Sequence, residues 1–403
     1  MTTGGRVRAQ YEALPYPARD PADEAQRLIV GSPSHLLEIE HYVLNGARAG
    51  ALDVLVAGCG TGDGAIMLAQ QLADRGEGRV TALDLSEASL AVARARAAAR
   101  GIANIRFLQG SLLDLAEIAP GPYGYIDCCG VLHHLADPPA GLAALRAALA
   151  PGGGLGLMLY APFGRAGVYE TQSALRRLGA GTMAAAEGVG LAERLLAALP
   201  PGNRLRRNPF LGDHLEGGAA GIADLLLHPQ DRAYTIGQFV ELLAGEGLRI
   251  AAPIEPARYD PLTYLGEDWA EPVAALPAEQ RWALAEELAG SLKTHTVYAV
   301  AREHPRPDWD ERDVPVLREQ DPARFAAAIA KSPHLTVDFD GLERRFTLPA
   351  GSARLLARID GRRSLGDLLD GLGGDRAAQR EKFEAVRAVL QPLNVLLFAG
   401  RPD

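Results

Sequence analysis

Gly58, Gly60 and Gly62 stand in the stretch VLVAGCGTGDGAI, between an apolar run and a helical pattern. Glycine there lets a ligand come close to the backbone and accepts a tight turn. The helix that follows would aim free N–H groups at whatever binds. A dinucleotide fingerprint, G-x-G-x-x-G, seats pyrophosphate on that helix and needs glycine at its last position. The residue here is Asp63. An acid would repel pyrophosphate and suit a positively charged ligand, which argues against a nicotinamide-dependent oxidoreductase.

Further along, Asp84 ends an apolar run in TALDLSEASL. A carboxylate at a strand end can accept two ribose hydroxyls, while Ser86 is the better helix cap. In LQGSLLDL, the trio Gly110, Ser111 and Leu112 offers an apolar wall and a hydroxyl to a planar base. In IDCCGVLHHLADP, Asp127 ends a strand and the turn from Gly130 to Leu132 is placed to close over a ligand. His133 and His134 follow as candidate proton carriers, with packing as the competing role. Two adjacent histidines do not make a metal centre, so no metal is expected.

These residues need a scaffold that brings them to one edge. Apolar runs at 52–57, 79–83, 105–108, 125–129 and 154–161 alternate with helical stretches such as AIMLAQQLADR and PAGLAALRAALA. The alternation predicts right-handed βαβ units and a doubly wound α/β domain. Residues 161–235 interrupt it with Gly, Ala and Arg and predict a helical insertion lying as a lid over the substrate. The insertion, with Tyr160 at its start, offers Arg165, Tyr169, His214, His228, Asp231 and Arg232 as substrate-facing groups. Strands resume at 248–255, followed by Arg258 and Tyr259 near the expected mouth, and at 294–303.

In this order the pieces resemble the class I S-adenosylmethionine-dependent methyltransferase family. The motifs are VAGCGTGDG, ALDLSEASLAVAR, QGSLLDL, YIDCCGVLHHL and LRAALAPGG. They cover about residues 45–160, and the architecture extends to about 303. The resemblance implies a seven-stranded, mostly parallel sheet whose last strand, THTVYAVARE, runs antiparallel. It implies S-adenosyl-L-methionine as cofactor, held by Gly58, Cys59, Gly60, Asp63, Asp84, Leu85, Gly110, Ser111, Leu112 and Gly130. The opening YEALPYP is similar to an N-terminal cap of some members, so Tyr11 and Tyr16 are expected along the cofactor pocket.

Two positions depart from the family. Val56 stands where an acid often precedes the glycines, a loss Asp63 would offset, and Ser111 stands where many members carry Asp. The implied activity is methyl transfer by in-line displacement to a peptide, protein or small molecule. The alternative is a non-catalytic module that only binds cofactor or partner.

Composition narrows the classes further. The 403 residues are 48% hydrophobic, enough for a large core. A net charge of −9 disfavours extended nucleic-acid binding, and Arg204, Arg206 and Arg207 read as solvated surface. The three cysteines form no CxxC pair and suit a reduced, cytoplasmic protein. No apolar run reaches the ~18 residues of a membrane span, so no membrane partner is expected. The expected organisation is a cap over 1–50, the methyltransferase domain over 51–304, a Pro-rich linker over 305–316 and a winged-helix-like α+β unit over 317–403. The last unit is expected to dock a peptide or protein, or to pair two copies as a homodimer.

Overall fold

A computed structural model describes residues 3–305, 307 and 309–401. Seven strands form one sheet: β1 (Asp53–Ala57), β2 (Arg79–Asp84), β3 (Ile105–Gln109), β4 (Tyr123–Cys129), β5 (Leu149–Tyr160), β6 (Leu248–Ile254) and β7 (Thr294–Ala301). Their order is β3-β2-β1-β4-β5-β7-β6. All neighbours are parallel except β7, which runs antiparallel to β5 and β6. This is the sheet the sequence predicts. The central strands read as continuous apolar runs because both faces are covered, as parallel sheets require. One face packs Leu55, Leu83, Ile126, Leu157 and Val297 against Leu142 and Phe239. The other packs Val54, Val56, Tyr125 and Tyr298 against Ile39, Leu68 and Leu90.

Four helices position the site: α1 (Thr3–Ala13), α2 (Leu36–Tyr42), α3 (Asp63–Asp74) and α4 (Glu87–Ala99). Ser86 caps α4 by accepting from the Ser89 N–H at 3.1 Å, the role its position predicts. The insertion is helical, at Val168–Arg177, Ala185–Ala198 and Gly218–Leu226, and has its own core of Val168, Leu175, Val189, Leu205, Ile222 and Leu226. It rests on α1, where Gln10 donates to the Ala223 carbonyl at 3.2 Å.

Beyond the sheet, β8 (Pro315–Leu317) pairs with β11 (Leu396–Phe398), and β9 (His334–Phe339) forms a hairpin with β10 (Leu342–Thr347). Three longer helices and an apolar cluster around Leu356, Leu368, Phe383 and Phe398 complete this unit. It is joined to α2 by a buried polar hub. Glu38, wholly buried, meets Arg318 at 2.7 Å, Asn394 at 2.7 Å and Tyr298 at 2.8 Å. The stretch read as a linker is packed: Trp309 stacks on His41 and on Phe398, each at 4.7 Å, and buried Asp313 pairs with Arg401. Its proline and charge content hid these contacts, which depend on partners far along the chain. Among the described residues no helix is long and apolar enough to cross a membrane.

Candidate active site

The carboxyl ends of β1 to β4 form a cradle that only glycine can line. Gly58 has φ 75°, and a Cβ there would lie 2.2 Å from Val131. At Gly60, with φ 52°, a Cβ would lie 2.8 Å from the Tyr16 carbonyl. The Gly60 N–H donates to Asp84 Oδ2 and the Ser86 N–H to Asp84 Oδ1, each at 2.8 Å. Burial raises the Asp84 carboxyl above its ordinary range, against the pull of these N–H groups. From the end of β3, Gly110 donates to the Asp84 carbonyl at 2.9 Å, Ser111 Oγ caps the Leu113 N–H at 3.1 Å, and Leu112 is buried. At the end of β4, Cys129 is exposed and Gly130, with φ 78°, is half-buried.

A strap from the N-terminus roofs this cradle. Glu12 accepts from the Glu87 and Ala88 N–H groups at the start of α4, at 2.9 and 3.1 Å. Thr61 Oγ1 donates to the Pro17 carbonyl at 2.7 Å. Arg96, 1% exposed, pairs with Glu24 at 2.5 Å and with Asp63 at 2.6 Å, and Arg19 pairs with Asp63 at 2.7 Å. The expectation that Asp63 faces a cationic ligand is therefore corrected: both its oxygens are committed to arginines. Against burial, which would raise it, the bonds from Arg19 and Arg96 hold its carboxyl below the ordinary range. Nothing local in the sequence marks Arg19, Glu24 or Arg96 as partners.

The acid missing at Val56 has a counterpart one strand over. Register sets Asp127 of β4 beside Val56 of β1. Asp127 is buried, accepts from Ser34 Oγ at 2.5 Å and is pushed up to about 6 by burial. It lies against Gly64 in the first turn of α3, where a Cβ would be 3.1 Å from its Oδ2.

Beside the cradle, a chamber-like cluster of buried polar side chains gathers between α1, β4, β5 and the lid. Asp224, 4% exposed, accepts from Tyr11 at 3.0 Å and from Tyr160 at 3.1 Å. The Tyr11 phenol is pushed well above its ordinary value by burial first and by Asp224 next. Arg165 lies 3.6 Å from the centre of the Tyr160 ring and donates to Asp231 at 2.9 Å. His133 packs 4.0 Å from the Tyr160 ring and 4.2 Å from His134, which stacks on His228 at 3.7 Å. His134 Nδ1 donates to the Gln230 carbonyl at 2.9 Å, and His228 Nδ1 accepts the Gln230 N–H at 3.2 Å. Several buried atoms here have no partner: both ring nitrogens of His133, His228 Nε2, Arg165 Nε, Tyr169 OH and Asp231 Oδ1.

These contacts separate the sequence candidates. Burial, reinforced by His134 and Arg165, depresses His133 far below neutrality. Neither ring nitrogen of His133 has a hydrogen-bond partner, so nothing in the structure orients it to carry a proton. Tyr11 reaches from the cradle roof to the lid, and Tyr16 lies over Gly60. Arg232 is exposed and stacks on Tyr234. Arg258 pairs with Asp340 of the C-terminal hairpin at 2.8 Å, and Tyr259 bonds to buried His295 at 2.9 Å, so neither lines a mouth. Asp224 was not singled out in the sequence, because an acid inside an apolar helix carries no local signal of what it meets.

A family model described as a methyltransferase domain matches residues 54–153, the segment from β1 into β5 that builds the cradle. An uncharacterized protein of Synechococcus is 34% identical over 320 residues, covering 76% of this chain and 74% of that one. The ubiquinone biosynthesis O-methyltransferase of Acinetobacter baylyi is 34% identical over 145 residues, covering 36% of this chain and 58% of its own length. The chain thus spans a little over half the length of that enzyme. PKMT2 from Rickettsia typhi, in complex with AdoHcy, superposes with a TM-score of 0.62 at 16% identity, covering 91% of this chain and 75% of that one, which shows a shared fold. A glycine cradle that excludes side chains, at the switch of a 3-2-1-4-5-7-6 sheet, fits an adenosyl group, and this chain carries a class I S-adenosylmethionine-dependent methyltransferase domain.

Proposed function

We propose that the chain transfers a methyl group to a peptide, protein or small-molecule acceptor lodged in the chamber beneath the lid. The observation that carries this reading is the join between cradle and chamber. Tyr11 spans from the cradle roof to Asp224, and the chamber beyond holds six buried polar atoms without partners. Unpaired buried polar groups are costly, and a bound acceptor would satisfy them.

S-adenosylmethionine, when bound, supplies a methyl group already made electrophilic by its sulfonium. The protein's remaining work is alignment and exclusion of water. In this reading Asp84 holds the ribose, Gly58, Cys59 and Gly60 allow close approach, and Leu85 with Gly110–Leu112 borders the base. Ser111 keeps its hydroxyl at the edge of that border while capping the turn. The strap holding Tyr16 and the lid holding Asp224 keep water from the nucleophile. The unit over 317–403, fixed to α2 by Glu38, is assigned to docking a peptide or protein acceptor, or a second copy.

Calorimetry with S-adenosylmethionine and S-adenosylhomocysteine, paired with mass-spectrometric detection of an added methyl group, tests the reading. Asp84→Ala is expected to weaken both ligands. Cofactor binding without transfer to any acceptor would favour the non-catalytic alternative, and absence of binding would overturn the proposal.

A further inference from the structure

The chamber has an unbalanced charge. Arg165 is matched by Asp231, whose Oδ2 also accepts from Gln172 at 3.0 Å. His133 and His228 are held neutral by burial. Asp224 remains, with two phenol donors and no ion pair to any described lysine or arginine; the charges of His134 and Arg165 bear on it but do not offset its burial, which holds its carboxyl above the ordinary range. Asp213 lies close enough for its charge to bear on Tyr16 as well. A buried carboxylate with no counter-charge is strongly disfavoured unless a cation arrives or a proton binds.

We propose that Asp224 is the counter-charge for a positively charged amine, so that the acceptor atom in this chamber is nitrogen. The proposal rests on the methyl-transfer reading above. An aliphatic amine is protonated at neutral pH and has no lone pair to offer. His134 supplies the place for that proton. Its Nδ1–H is committed to the Gln230 carbonyl, which fixes the tautomer and leaves Nε2 with a free lone pair. Once the ammonium has given a proton to Nε2, the nitrogen lone pair forms the N–CH₃ bond as the S–CH₃ bond breaks. The S–C electron pair stays on sulfur, leaving a neutral thioether, and the positive charge passes to nitrogen. A carboxylate fixed on the nitrogen side favours that transfer of charge without reorganisation. The phenols of Tyr11 and Tyr160 hold Asp224 in place for this role.

The test uses the full chain loaded with S-adenosylhomocysteine and three probes of one shape: n-butylammonium, 1-butanol and butyrate. Calorimetry or NMR titration is expected to rank the ammonium first. Asp224→Asn is expected to weaken it tenfold or more, the effect of losing a bond to a charged group, with S-adenosylhomocysteine affinity unchanged. Butanol or butyrate binding as well as the ammonium, or no probe binding at all, would overturn the proposal. So would an Asp224→Asn variant that loses affinity for S-adenosylmethionine but not for S-adenosylhomocysteine, since Asp224 would then face the sulfonium. The probe ranking needs no variant and stands even if Asp224→Asn folds poorly. Failure of S-adenosylhomocysteine to bind would sink the methyl-transfer reading instead.

Discussion

Arg96→Met tests the strap that closes the cofactor cradle. Arg96 donates to Glu24 Oε1 at 2.8 and 2.5 Å, to the Thr61 carbonyl at 2.8 Å and to Asp63 Oδ1 at 2.6 Å. It is 1% exposed and Glu24 is 4% exposed, so solvent cannot replace these bonds. Methionine keeps much of the apolar stem and removes the charge. Glu24 is then left with Arg100 alone, and the Thr61 carbonyl loses its arginine donor. Breaking a buried pair by removing one partner costs about 3–5 kcal/mol, a large share of the ~5–15 kcal/mol that holds a typical domain together. Guanidinium denaturation followed by circular dichroism should show a lower midpoint, and calorimetry should show weaker binding of S-adenosylhomocysteine. The double variant Glu24→Leu/Arg96→Met, which leaves no lone carboxylate at position 24, should regain part of the lost stability. A single-variant loss below about 1 kcal/mol, with ligand affinity intact, would refute the view that this network seats the strap on the glycine turn.

Four further outcomes are expected. Asp63→Asn should weaken S-adenosylmethionine and S-adenosylhomocysteine equally, because it acts through Arg19 and Arg96; selective loss of the sulfonium ligand in calorimetry would restore a direct contact. Asp84→Ala should reduce cofactor affinity by about 10- to 100-fold, the range for bonds to a charged group, and unaltered binding isotherms would count against a ribose role. Asp127 releases its proton near pH 6 when folded and near ~4 when unfolded, so its contribution is full below pH ~4 and declines by about 3 kcal/mol as pH rises through 6; the stability gap to Asp127→Asn, from denaturant titrations at pH 4 to 7, should move in the variant's favour, and a pH-independent gap would refute this. His133→Leu removes two unpartnered buried nitrogens and should raise stability by about 1 kcal/mol; a lowered thermal midpoint would show that the ring is bonded.

Much of the frame was legible in the sequence. The strands β1, β2 and β4 announced themselves as short apolar runs because each is largely buried, whereas the edge strand β3 is only half-buried, and the glycine turn lies where a side chain would strike Val131 or the Tyr16 carbonyl. The beginning of β5 was less clear, since its first residues, LAPGG, look like a turn and yet extend the strand back to Leu149. The antiparallel β7 was expected from the family resemblance alone; pairing direction leaves little trace in a strand's own residues.

Side-chain partners were a different matter. Asp63 invited a ligand-binding reading, but residues 33 and 44 positions away hold it. His133 and His134 look alike in sequence, yet one is enclosed without partners and the other is oriented by Gln230, 96 positions along. The same holds for Asp224 and for Glu38, whose Asn394 partner lies 356 residues away. Local chemistry determined where strands, turns and caps form, because those depend on neighbours within a few residues. Which charges are neutralised and which remain available was decided by the tertiary structure, because burial and pairing depend on groups that only the fold brings within bonding distance.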